Sequence, residues 1–339
     1  MDTKILYVGI DVSKLTLDIA LTVDAKTTIA STKVNNNKDG FKSSARWIKR
    51  YGQINQCEEV LCCIESTGIY SDGIIEYLQE NTAFKVSVVN PAQAKAYSST
   101  VLLRTKTDKV DAGLLSKYAA GVKPDVTTPM PKEVKELRVL IRHLDYLITR
   151  RAQEKTHLES TADKVIEKSI KDIINHYDGQ IKKLQKRIKE YLNNHHGLKE
   201  RIDLLKTIPG IGELTATILV CELHAEDGRG KITAKAQVAH AGLAPKHKQS
   251  GTSIRGKSNI CKTGNSRLRR CLYFPAIVAT RKNPIIKEFY QRLLAKGKLK
   301  KVAIIAAMRK LLTIAIGVLN NKAVFDPEWS AKMTKVLYA

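Results

Sequence analysis

Two apolar runs organise the start of the chain, Ile5-Leu6-Tyr7-Val8-Gly9-Ile10 and Val60-Leu61-Cys62-Cys63-Ile64. Each has the length of a buried strand, and each is closed by an acid, Asp11 and Glu65. The surrounding pattern predicts strands at 6–10 and 15–23 joined by a turn over 11–14, and a third strand at 27–34. It also predicts a helix over 40–51 with Phe41, Ala45 and Ile48 on one face. A strand at 60–64, a helix at 73–80 and a strand at 85–89 stopped by Asn90-Pro91 come next. Helical segments follow at 92–97 and 108–120. A strand hairpin followed by alternating helix and strand suits an α/β, ribonuclease-H-like layout.

The period then changes. Thr127-Thr128-Pro129-Met130-Pro131 is rich in chain breakers, and a long helical region runs from 133 to 195. Leu137, Ile141, Leu144 and Ile148, and later Ile170, Ile174, Tyr177, Ile181, Leu184, Ile188 and Tyr191, repeat at alternating four and three, a coiled-coil seam. The polar stretch 149–157 is expected to interrupt it. The seam fits an antiparallel hairpin, a self-association arm, or a bundle packed within one chain. From 200 onward the pattern is mostly helical, with loops expected at 228–230 and 249–263 and a helix at 302–319. The domains read as 1–126 (α/β), 127–199 (coiled-coil arm) and 200–339 (mostly α).

Charge sharpens this division. The 339 residues carry 58 Lys+Arg against 33 Asp+Glu, a net +25 that favours a polyanionic partner, most simply nucleic acid. Residues 1–125 are nearly balanced at +2, whereas 246–310 hold 18 basic residues against the single acid Glu288. The six cysteines lack CxxC spacing, which argues against a structural zinc site. No signal peptide precedes the first strand. The apolar stretches 302–308 and 311–319 are split by Arg309-Lys310, each short of the ~20 residues of a membrane span. These readings point to a cytoplasmic protein without a membrane partner.

Candidate chemistry starts with four acids. Asp11 and Glu65 end strands, and Asp108 and Asp111 stand three apart at the start of a helix, a spacing that puts both on one face. Two like charges at 4 Å repel by roughly 4 kcal/mol at an effective dielectric of 20. A converged set therefore calls for protons or a divalent cation, and Mg²⁺ takes such oxygen ligands. Each acid alone reads equally well as a surface charge or helix cap. Thr207-Ile208-Pro209-Gly210-Ile211-Gly212 resembles a helix-hairpin-helix turn whose glycines, Gly210 and Gly212, bring backbone N–H groups to a phosphate. A helix end followed by a new helix is the plainer reading. In the basic loop 242–253 a serine beside glycine can act as a nucleophile on phosphorus; Ser250, Ser253 and Ser258 compete for that role, and turn residue is the simpler assignment. Arg255, Lys257, Lys262, Arg267, Arg269 and Arg270 form a basic loop feeding a helix, suited to phosphate contact. Tyr273 and Phe274 follow, able to stack on bases but read first as core residues.

Taken in order, GIDVSK at 9–14, ESTGIY at 65–70, KTDKVDA at 106–112, IPGIG at 208–212 and GLAP…SG at 242–251 resemble the DEDD transposases of bacterial insertion sequences, the IS one-ten family, over nearly the full length. The resemblance implies a RuvC-like N-terminal domain with Asp11, Glu65, Asp108 and Asp111 as its acidic tetrad. It implies a coiled-coil arm and a C-terminal transposase domain whose catalytic serine maps to Ser250. By similarity the element is excised and inserted through a phosphoserine. A structured noncoding bridge RNA would pair with donor and target DNA, in a tetramer built as a dimer of dimers with composite sites. Gln237-Val238-Ala239-His240 departs from the family, which often has an aromatic residue there. Two other functions fit the residues: a metal-dependent RuvC-like nuclease or junction resolvase using water, and a non-catalytic nucleic-acid assembly protein.

Overall fold

A computed structural model describes residues 3–66, 68–100, 108–223, 233–246, 249–250, 254–255 and 259–328. The chain divides into two units, one through Pro129 and one from Met130.

The first unit runs β1 (Ile5–Val12), β2 (Thr16–Thr22), β3 (Ala30–Asn35), α1 (Lys38–Ile54), β4 (Glu59–Glu65), α2 (Ile69–Asn81), β5 (Lys85–Val89), α3 (Pro91–Thr100) and α4 (Asp108–Val122). Its sheet has the order β3-β2-β1-β4-β5. The first three strands pair antiparallel, and β1, β4 and β5 pair in parallel. This is the expected ribonuclease-H-like arrangement. Alternation along each strand sorts the two faces. Leu6, Val8, Ile10, Leu17, Ile19, Leu21, Cys62 and Ile64 pack with Phe41 and Ile48 of α1 and Ile74 and Leu78 of α2. On the opposite face, Tyr7, Leu61, Cys63 and Val89 pack with Leu115, Tyr118 and Ala119 of α4. Asp11 and Val12, expected in a turn, continue β1: Asp11 pairs with Asp18 and Val12 with Leu17. The turn is confined to the residues between, where Ser13 N–H and hydroxyl both bond the Thr16 carbonyl at 2.9 Å.

The second unit opens with α5 (Lys132–Glu159) and α6 (Lys164–Asn193). They pair antiparallel: Tyr191 near the end of α6 donates to the Glu133 carbonyl at 3.0 Å and to Glu136 at 2.9 Å, and Arg151 meets Asp178 at 2.5 Å. Within the chain the seam is therefore an antiparallel hairpin, packed into the helical core that follows. The polar stretch 149–157 is helical, and the buried positions of α5 end before it, at Leu147. Its hydroxyls are absorbed by the helix, as where Thr149 donates to the Asp145 carbonyl at 2.7 Å. The break comes later, where Asp163 caps α6 by accepting from Val165 and Ile166 N–H at 2.8 and 3.0 Å.

The remaining elements are α7 (His196–Lys206), α8 (Glu213–Glu222), α9 (Ala234–His240), β6 (Pro245–Lys246), β7 (Gln249–Ser250), β8 (Ile254–Arg255), β9 (Asn259–Ile260), α10 (Ser266–Cys271), α11 (Tyr273–Lys282), α12 (Pro284–Ala295) and α13 (Lys300–Asn321). The segment expected to be loop thus holds two short antiparallel ladders, β6 with β9 and β7 with β8. One core joins α5 through Leu137, Ile141 and Leu144, α6 through Ile181 and Ile188, α7 and α8 through Leu205 and Leu219, and α13 through Leu311, Leu312 and Ile316. Helix α13 runs unbroken across Arg309-Lys310, so by length and composition it is apolar enough to cross a membrane. Its buried residues Ala303, Ala307, Met308, Leu311, Leu312, Ala315 and Ile316 instead make it the central helix of this core.

Candidate active site

In the first unit the acids are positioned by strand register and by one close approach. Asp11 is the penultimate residue of β1, and Glu65 ends β4. These parallel neighbours are matched up to Ile10 with Ile64, so the two carboxylates leave adjacent strands ~4.8 Å apart at the same end of the sheet. Alternation puts Asp11 on the face of Gly9 and Tyr7, and Glu65 on the face of Cys63 and Leu61, the face covered by α4. A Cβ on Gly9 would lie 2.0 Å from the Ala112 carbonyl oxygen and 2.3 Å from the Ser116 nitrogen. Glycine there lets α4 lie directly on β1. Tyr7 packs in the cluster with Tyr118 and Ala119, and Gly9 lies under Ala112 and Ser116. Continuing along β1 brings Asp11 beneath the first turns of α4, which carry Asp108 and Asp111.

The structure thus brings Asp11, Glu65 and the start of α4 to one place. The Asp108 side chain lies outside the described residues. Among the described residues, no group of three or more His, Cys, Asp or Glu is close enough to hold a metal ion as it stands. The donor chemistry nevertheless fits a hard divalent cation, because Asp11, Glu65 and Asp111 offer only oxygen. Burial, with the nearby Glu65 charge second, pushes the Cys63 thiol up to about 12, so this cysteine remains a protonated apolar neighbour.

One acid on this face was missed in the sequence. Asp18 pairs directly across from Asp11, and directly opposed residues share a face. It is 8% exposed and bonded to Lys33 at 3.0 Å. The signal was available in the alternation of Leu17, Ile19 and Leu21 inward with Asp18 and Ala20 on the other face.

In the second unit Ser250 closes β7, its backbone paired with Ile254 across the β7–β8 hairpin. The side chains of Ser250 and Arg255, and Lys257 altogether, lie outside the described residues. The stalk leading to this hairpin is anchored on a buried carboxylate. Glu222, at the end of α8, is 2% exposed. It accepts from Arg138 of α5 at 2.7 Å and from the Asn265 amide at 2.9 Å, and Arg142 lies 3.5 Å away. Burial pushes the Glu222 carboxyl up, but the two guanidiniums and the hydrogen bonds outweigh that and hold it below its ordinary value. Asn265 also caps α10 by accepting from Leu268 N–H at 3.0 Å, and its backbone N–H donates to the His240 carbonyl at 2.7 Å. Helices α5, α8, α9 and α10 are therefore tied together at the foot of β6 and β9.

The basic residues of this region divide. Arg269 donates to the Ala241 carbonyl at 2.8 Å, Arg270 pairs with Asp145, and Arg267 lies 3.7 Å from the same Asp145. All three, read from sequence as phosphate contacts, have partners inside the fold. Lys262 is exposed, with its backbone N–H on the Gly242 carbonyl at 3.1 Å. The Gly210 turn is also internal in purpose. At φ +108° it brings the backbone against α11, where a Cβ would meet the Pro275 carbonyl at 2.8 Å. Gly212 faces open space, next to the acidic first turn of α8 at Glu213. Tyr273 and Phe274 correct another expectation: both are exposed, not core.

Comparison with known proteins joins these two units. A DEDD transposase family model matches residues 8–166, and a model described as "Transposase IS116/IS110/IS902 family" matches residues 202–291. The pilin gene-inverting protein of Moraxella bovis is 35% identical over 321 residues, 94% of this chain and 97% of that protein. Its counterpart from Moraxella lacunata is 34% identical over the same shares. A transposase for insertion sequence element IS1328 of Yersinia enterocolitica is 38% identical over 88 residues, a quarter of each chain.

Proposed function

Since the chain belongs to the IS110 family of DEDD transposases and DNA-inverting recombinases, we propose that it exchanges DNA strands with Ser250 as nucleophile and the Asp11, Glu65, Asp108 and Asp111 tetrad as its metal-holding centre. The observation that carries this reading is the convergence of Asp11, Glu65 and the α4 start at one end of the sheet, enforced by the Gly9 contact. A DEDD nuclease-type domain implies a divalent metal. Mg²⁺ bound there would neutralise charge developing on the scissile phosphate.

The chain's own residues carry the covalent steps. Ser250 Oγ attacks a DNA phosphorus; the Oγ–P bond forms as the P–O3′ bond breaks, and the serine proton departs while the 3′-oxygen leaves as a hydroxyl. The 3′-hydroxyl of the partner strand then attacks the phosphoserine, and Oγ regains its proton as the new phosphodiester forms. The bond count is conserved, so no external energy source enters. The relatives named for inverting a pilin gene suggest that joining two sites on one molecule and inserting an element are the same exchange with different geometry. Exposed lysines and arginines between 246 and 310 would hold nucleic-acid backbones. A structured bridge RNA would choose donor and target by base pairing, in a cytoplasmic tetramer on the chromosome. That part rests on the family resemblance.

The test is a nicked DNA substrate that traps covalent intermediates, incubated with wild type and Ser250→Ala. We expect a protein–DNA adduct mapping to Ser250 in the wild type, and no adduct or strand exchange but intact DNA binding in the variant. Cleavage by Ser250→Ala at the wild-type rate would instead mean a water-using nuclease.

A further inference from the structure

We propose that the exposed face of α11 is a docking surface for an unpaired stretch of DNA, with Phe274 and Tyr273 stacking on bases and Arg281 and Lys282 meeting phosphates. Helix α11 has two distinct sides. Ala276 and Ala279 are fully buried, whereas Phe274 is 72% exposed, Tyr273 36% and Val278 47%. Positions 274, 278, 281 and 282 follow one another along a single helical face, and Arg281 and Lys282 at its end are exposed. The two rings meet edge to face, with centroids 5.6 Å apart. Phe274 therefore presents a large ring to solvent in a position where core packing has no use for it.

Charge selects the occupant. Between 246 and 310 the only acid is Glu288 among 18 basic residues. Arg267, Arg269 and Arg270 are engaged by Asp145 and the Ala241 carbonyl, whereas Arg281 and Lys282 stand exposed at the end of α11. Lysine is depleted at protein-docking patches, and here Lys282 follows the rings along α11 in a segment of almost unopposed positive charge. Exposed aromatics beside cations that track a backbone are how proteins hold single strands, because every base offers a π-face. An enzyme acting on DNA strands needs such a hold wherever base pairs open. The proposal is independent of whether Ser250 is the nucleophile, since it concerns binding alone.

The experiment uses the full-length protein, fluorescence anisotropy and labelled oligothymidylate of about 20 nucleotides, with a duplex of the same length for comparison. Phe274→Ala should weaken single-strand binding roughly tenfold and duplex binding much less. Phe274→Trp should keep wild-type affinity and show tryptophan quenching on titration. Arg281→Ala should lower the salt dependence by about one phosphate contact. Truncating a ring that is 72% exposed leaves the core untouched, and circular dichroism verifies this. Unchanged oligothymidylate affinity in Phe274→Ala overturns the proposal. So does a loss of affinity that appears only with a fall in oligomer mass by light scattering, because the face would then bind protein.

Discussion

In the first unit, Asp11 and Glu65 stand on one face of a sheet, at the ends of adjacent strands beneath the N-terminus of α4, while Asp18 across from Asp11 is already paired with Lys33. In the second, Glu222 is 2% exposed and surrounded by Arg138, Arg142 and Asn265. The first arrangement collects negative charge, and the second saturates one charge with positive donors. A buried carboxylate is tolerated only when paired and hydrogen-bonded, which is why Glu222 reads as scaffold. Like charges brought together raise the free energy of the empty site and favour the arrival of a cation. The difference shows how the same residue type can serve chemistry in one place and architecture in another.

Neutralising single acids exposes that contrast most sharply. Asp11→Asn or Glu65→Gln should lower strand exchange by at least about 10²–10³-fold while leaving DNA binding and thermal stability unchanged or slightly raised, since repulsion is relieved. A recombination assay run beside a thermal melt measures both; retention of activity would break the comparison. Glu222→Gln should do the reverse to stability. It leaves Arg138 and Arg142 without their anion, and breaking a buried ion pair costs about 3–5 kcal/mol, read by urea unfolding.

The same contrast has a pH signature. The Glu222 carboxyl is held below its unfolded-state value, so its contribution to stability is fully present above the unfolded value of about 4.3 and is lost as pH falls through the folded value. Between neutral pH and pH 3 the wild-type melting temperature should therefore fall more steeply than that of Glu222→Gln. Equal slopes would show that the guanidiniums do not stabilise the charged form.

Much of this was legible in the chain. Strand runs closed by Asp11 and Glu65 announced both the sheet and the acids, because a buried strand needs consecutive apolar residues and a polar stop. Asp18 was not read because a lone acid inside a strand looks like surface until its partner across the ladder is known. The partners of Arg267, Arg269 and Arg270 were equally hidden. Asp145 lies more than a hundred positions away in the chain, and local charge density carries no sign of a distant partner. The break before α6 was not read, because the region from 133 to 195 is helical in pattern throughout; only the cap Asp163 marks the new helix start, and the polar residues at 149–157 are at ease in a helix.

Arg270 gives the smallest effect and the finest test of how the second unit uses its positive charge. Its pair with Asp145 joins α10 to α5, but the Arg270 side chain is 60% exposed and solvent screens the interaction. Exposed pairs contribute about 0–1 kcal/mol, so Arg270→Ala should change unfolding free energy within that range. Asp145 keeps Arg267 at 3.7 Å, which moderates the loss further. Duplex binding should also be nearly unaffected, because Asp145 already occupies the guanidinium. Arg281→Ala, on an outward-facing cation, should weaken binding more than Arg270→Ala at every salt concentration. A larger binding loss from Arg270→Ala would mean that DNA displaces Asp145 and draws this arginine outward, converting part of the scaffold into contact surface.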